Sequence, residues 1–125
     1  MRFTKQILAF CVILLLYACG TASKIKDGET AYQMKQYATA IGMIKKEIEA
    51  SGKPEVKAYK YFLLGQCYAR LLDYPHALEW YSLAEKNNYG PEATLKKAYI
   101  LKNLMKYEQA IAGFESLKNI TSLSQ

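Results

Sequence analysis

The sequence predicts an all-α fold in which three helical hairpins stack behind an apolar N-terminal segment. A Tyr-x-x-Ala-aliphatic motif occurs three times, at Tyr37–Ile41, Tyr74–Leu78 and Tyr107–Ile111, and each copy has a large apolar residue three places further on: Ile44, Tyr81 and Phe114. The alanines, Ala40, Ala77 and Ala110, are 37 and 33 residues apart. The extra residues of the longer interval fall in Ala50-Ser51-Gly52-Lys53-Pro54, a run of helix breakers. Between the motifs apolar residues return every three or four positions, as in Tyr61, Leu64, Tyr68 and Leu71, which is the rhythm of one helix face. Units of this length cannot bury their apolar faces alone and do so by stacking on their neighbours.

The elements follow in order. Arg2 and Lys5 precede an uncharged run from Ile7 to Tyr17, the pattern of a secretory signal. The run is shorter than the roughly 20 residues that span a bilayer comfortably. At its end, Leu16-Tyr17-Ala18-Cys19-Gly20 resembles a bacterial lipobox, with Tyr17 bulkier than the usual residue at its place. The resemblance implies removal of residues 1–18 as a signal peptide and acylation of Cys19, which would hold the chain to a membrane. A retained membrane anchor, or an ordinary signal peptide that merely ends near Cys19, are the competing readings. Residues 19–23 form a tether whose segment after the cysteine reaches about 14 Å. Lys24 and Lys26 would then lie close enough to meet anionic headgroups.

The helices are expected at about Ser23–Met34, Tyr37–Ala50, Glu55–Leu71, Tyr74–Asn87, Pro91–Leu104 and Tyr107–Lys118. Pro91 suits a first helical turn, and Asn87, Asn88 and Gly90 supply the preceding stop. Three units result, about 24–53, 55–90 and 91–118, with a tail at 119–125. The first is the least regular copy, because its opening helix is polar and lacks a Leu-Gly pair.

The middle unit carries a family resemblance. Tyr61-x-x-Leu64-Gly65-x-x-Tyr68, then Ala77-x-x-x-Tyr81, Ala84 and Gly90-Pro91, resembles the tetratricopeptide repeat, with Tyr61 where tryptophan is commonest. The resemblance spans roughly residues 24–118 and implies a right-handed stack of three such hairpins. Together with the lipobox, the chain is similar to the N-terminal region of bacterial envelope lipoproteins that carry these repeats, in some of which an OmpA-like peptidoglycan-binding module follows. It implies a lipid-anchored scaffold of the cell envelope, at the outer membrane and facing the periplasm, that binds an envelope protein or peptide. The alternative is the support module of a longer glycan- or peptidoglycan-binding lipoprotein.

In this family the inner helices line a concave peptide groove. Carried onto this chain, its positions are Tyr59, Phe62, Gln66, Arg70, Lys96, Tyr99, Lys102 and Asn103. Arg70, Lys96 and Lys102 would make that groove basic and suited to an acidic segment or a terminal carboxylate. The competing reading is of ordinary solvated helix residues. Beyond Lys118 no polar capping helix is expected, so the face of Ile111, Phe114 and Leu117 calls for a covering element, a partner, or a longer chain.

Other function classes find little support. Formal net charge is +6. Without Arg2 and Lys5 the remaining 15 basic and 11 acidic residues are interspersed, unlike the clustered basic face of a nucleic-acid binder. His76, the one histidine, lies beside Pro75 in a turn and reads as a surface residue. Glu47 and Glu49 are two apart on a helix and face different ways. No phosphate loop, nucleophile elbow or zinc spacing is present, so neither an enzyme, a metal, a cofactor nor a small-molecule substrate is expected. Cys67 reads as a small buried hydrophobe.

Overall fold

The computed structural model describes residues 1–7, 9 and 24–123, with side chains to residue 120. Cys11, Cys19, most of the expected signal peptide and the 19–23 tether lie outside the described residues, and residues 2–7 are helical. From Gly28 to Leu123 the chain is all-α. Six helices follow: α1 (Gly28–Gln33), α2 (Tyr37–Ala50), α3 (Pro54–Arg70), α4 (Tyr74–Lys86), α5 (Pro91–Asn103) and α6 (Tyr107–Leu123). Each packs against the next in chain order. Among the described residues no helix is long and apolar enough to cross a membrane.

The three-residue connections within the pairs α1–α2, α3–α4 and α5–α6 share one backbone geometry. Lys35, Leu72 and Met105 take φ values of 59°, 60° and 60°. Their N–H groups donate to Tyr32, Ala69 and Lys102, and the next residues, Gln36, Asp73 and Lys106, donate to Ala31, Tyr68 and Leu101. This is the Schellman motif, which satisfies the orphan carbonyls at a helix end and normally places glycine at the left-handed position. The α4–α5 connection repeats it at Asn88 (φ 58°). There Gly90 follows at φ 126°, a conformation that a residue with a Cβ rarely adopts, and Pro91 opens α5.

Glycine and alanine contacts bring the helices of each pair together. A Cβ on Gly28 would lie 2.3 Å from Ile44 Cγ1, and one on Gly65 would lie 2.6 Å from Tyr81 Cδ1. In the third pair the roles are exchanged. Ala98 stands where Gly28 and Gly65 stand in the first two units, and Gly113 on α6 makes the room, since a Cβ there would meet Ala98 Cβ at 3.1 Å. Ala40, Ala77 and Ala110 are all buried.

Two helix ends differ from the sequence expectation by more than one residue. Helix α1 begins at Gly28 rather than near Ser23, because the Asp27 carboxylate accepts from the Thr30 N–H at 2.7 Å and caps it there. Hydrogen bonding to that N–H holds the Asp27 carboxyl below its ordinary range. The start is held a second time by Glu47, which accepts from the Gly28 N–H at 2.8 Å and from Lys60 at 2.5 Å. Helix α6 runs on to Leu123, past the expected end at Lys118, as Asn119-Ile120-Thr121-Ser122-Leu123 contains neither proline nor glycine to stop it.

Two clusters make up much of the core among the described residues. Ala31, Ile44, Leu63, Leu64 and Cys67 fill the space among α1, α2 and α3; Phe62, Ala77, Tyr81, Ala84, Ala93 and Ile100 fill that among α3, α4 and α5. Tyr61 and Tyr68 cover their own pair: Tyr61 stacks on Trp80 and Tyr68 on His76. Tyr68 also reaches the first pair, accepting a hydrogen bond from Lys45 at 3.1 Å.

Candidate peptide groove

Helices α1, α3 and α5 share a face. On α3, positions 55, 59, 66 and 70 are four, seven and four apart and so point the same way. On α5 the corresponding series is 92, 96, 99 and 103. A cavity of about 170 Å³ opens on this face, and Tyr32, Gln66, Arg70, Tyr81, Lys96 and Tyr99 are among its walls. Four of the eight sequence-predicted residues are therefore brought together here: Gln66, Arg70, Lys96 and Tyr99.

The other four lie elsewhere. Phe62 is 3% exposed and belongs to the core, because Tyr89 stacks over it at 4.3 Å between ring centroids and closes it off from the surface. Lys102 and Asn103 are exposed at the end of α5 and do not line the cavity. Tyr59 lines a second opening of about 420 Å³, shared with Glu55, Asn87, Asn88 and Tyr89.

Electrostatics separate the two openings. Hydrogen bonding to the Tyr32 side chain raises the Arg70 guanidinium further above its ordinary range. With Lys96, Arg70 makes the first opening basic. Around the second, Tyr59 is pushed up to about 12, first by burial and then by its hydrogen bond to Glu29. Tyr89 is raised by burial and by Glu92. The Tyr81 hydroxyl, in the wall of the first opening, feels both signs: burial raises it most, Glu92 raises it and Arg70 lowers it.

Comparison with family models, characterised proteins and solved structures finds no match. The arrangement of the side chains therefore carries the functional reading.

That arrangement suits binding. Tyr99 is 50% exposed, a rigid apolar surface beside two cations, and its ring meets Phe114 edge-on at 5.3 Å. Phe114 is thus partly covered, whereas Ile111 stays exposed on the same helix. His76 is on the surface with its Nδ1 at 2.8 Å from Asp73 Oδ2. Cys67 is fully buried, and burial pushes its thiol up to about 11. Among the described residues no group of three or more His, Cys, Asp or Glu is placed to hold a metal ion.

Tyr32 and Tyr89 are among the contributors that the repeat pattern did not point to. Tyr32 comes from the irregular first unit, and Tyr89 from a loop that reads as a mere helix stop. The aromatic side chain of Tyr89, set between two asparagines and a glycine, was the available signal.

Proposed function

We propose that the chain is a lipid-anchored scaffold of the bacterial cell envelope whose tetratricopeptide-like hairpins bind a peptide segment of another envelope protein. The observation that carries the reading is the cavity on the shared face of α1, α3 and α5, where Arg70, Lys96 and half-exposed Tyr99 converge. Aromatic surface supplies contact area, while the cations select for carboxylates. Three like turns, and glycine contacts at equivalent positions in the first two pairs, support a stack of like units; the right-handed array is what the tetratricopeptide resemblance implies. The anchor rests on the Leu16–Gly20 motif, with Cys19 as the acylated residue at the outer membrane, facing the periplasm. Catalysis, nucleic acid, cofactors and small-molecule substrates have no part in this reading.

The test is site-specific photo-crosslinking in bacterial cells expressing the full chain. A benzophenone amino acid at position 99 is expected to trap a partner in the membrane fraction. The same group at Glu79, an exposed position on α4, is expected to trap none. Cys19→Ser should move the chain out of the membrane fraction. Equal crosslinking from both positions would count against a groove, and unchanged fractionation of Cys19→Ser against the anchor.

A further inference from the structure

Two openings of opposite character lie along α3, one on the face it shares with α1 and α5 and one between its first half and the α4–α5 connection. Arg70, Lys96 and Tyr99 border one opening. The other has the Tyr59 and Tyr89 rings, 6.2 Å apart and inclined at 33°, with Glu55 in its wall. Glu29 and Glu92 lie near enough to Tyr59 and Tyr89 respectively to act on their hydroxyls. Helices α1 and α5 therefore each supply an acid near the first half of α3 and a polar or basic group near its end. Glu29 and Tyr32 do so from α1, and Glu92 and Lys96 from α5.

Each opening suits a different group. Two tyrosine faces with carboxylates around them attract an ammonium or guanidinium by cation–π and Coulombic attraction together. Arg70 and Lys96 attract a carboxylate. Tyr59 and Arg70 are eleven residues apart on α3, and at about 1.5 Å per residue their Cα atoms are separated by roughly 16 Å along the axis. An extended peptide advances about 3.4 Å per residue, so it covers that interval in about five residues.

We infer that the surface along α3 takes an extended peptide segment of fixed polarity, with a lysine or arginine over the Tyr59–Tyr89 pair and a carboxylate about five residues away against Arg70 and Lys96. The inference rests on the peptide-groove reading above and adds to it the charge pattern and orientation of the partner. Two charges of opposite sign make a reversed peptide meet repulsion at both ends, so orientation is selected as well as composition. The carboxylate is that of an aspartate, a glutamate or a chain terminus.

The test is selection of random nine-residue peptides, with free or amidated C-termini, on the full chain held in detergent micelles. Surviving peptides are expected to place a basic residue and a carboxylate about five positions apart. Survival of the amidated set identifies a side-chain carboxylate, and loss of that set alone identifies the terminus. Arg70→Glu with Lys96→Glu is expected to weaken a selected peptide about tenfold and to accept a peptide whose acid is replaced by lysine. Glu29→Gln with Glu92→Gln is expected to remove the preference for the basic residue. Survivors that depend on Tyr99 but show no paired charges would overturn the polarity and leave the groove in place. No survivors above empty micelles would overturn both.

Discussion

Replacing Gly65 with alanine is the sharpest probe of how the hairpins are held together. The new Cβ would stand 2.6, 2.7 and 2.9 Å from three carbons of the Tyr81 ring. Carbon atoms in good contact are about 3.5–4.0 Å apart, so ring or helix must give way by about 1 Å. The ring has little room: Tyr81 is 2% exposed and packs against Phe62 at 5.5 Å between centroids. Overpacking of this kind costs about 1–3 kcal/mol, while exchanging a mid-helix glycine for alanine contributes up to about 1 kcal/mol in the other direction. The expected net effect is a loss of about 1–2 kcal/mol. Gly42→Ala is the matched control. Gly42 is also inside a helix, but nothing lies within 4 Å of its absent Cβ, so the variant should gain roughly 0.5–1 kcal/mol. Urea unfolding of the purified chain, followed by far-ultraviolet circular dichroism, gives both values. In a Tyr81→Leu background the Gly65→Ala penalty should shrink, since the two positions share one contact. If Gly65→Ala stabilises as much as Gly42→Ala does, the close approach of α3 and α4 is not what fixes glycine at this position.

Further expectations concern caps, turns and titration. Leu72 holds a left-handed conformation while 70% exposed, so Leu72→Gly should relieve strain at little loss of burial and stabilise by about 0.5–1 kcal/mol, read from the urea midpoint. An unchanged or lower midpoint would mean that the leucine side chain contributes packing there. Glu47→Ala leaves the Gly28 N–H and Lys60 without their acceptor, and should cost about 1–3 kcal/mol and abolish slow amide exchange in α1 before any other helix. The Cys67 pKa is raised in the folded chain from 9.0 to about 11, so its contribution is whole below pH 9 and is lost as pH climbs towards 11. Tyr59, raised from 10.0 to about 12, acts in the same direction. Unfolding free energy should therefore fall above pH 9, with a shallower fall in Cys67→Ala; identical slopes would place the titration elsewhere.

Much of the backbone was legible because its signals are local. The Tyr-x-x-Ala motifs mark the starts of α2, α4 and α6, and proline the start of α5, since each acts within a turn of the residue concerned. What escaped depends on residues far apart in sequence. The start of α1 is fixed partly by Glu47, nineteen positions away. Phe62 has the spacing of a groove residue and is covered by Tyr89, 27 positions on. Periodicity tells which face a side chain takes but not what lies on top of it. The same limit applies to the acidic residues around Tyr59: they come from three separate segments, and no run in the sequence announces them.

The exchange of glycine and alanine in the third pair bears on how such a chain can be recombined. In the first two pairs the leading helix is the thin one; in the third, α6 is thin at Gly113 and α5 carries the methyl group of Ala98. A cassette that joined α5 to a copy of α4 would set Ala98 against a tyrosine ring that tolerates only glycine. One that joined α3 to a copy of α6 would leave two glycines facing each other across a gap. Each hairpin is thus a matched set that can be moved as a whole but not split, and circular permutants opened at Gly52 or Asn88, between hairpins, should fold where those opened at Leu72 or Met105 should not.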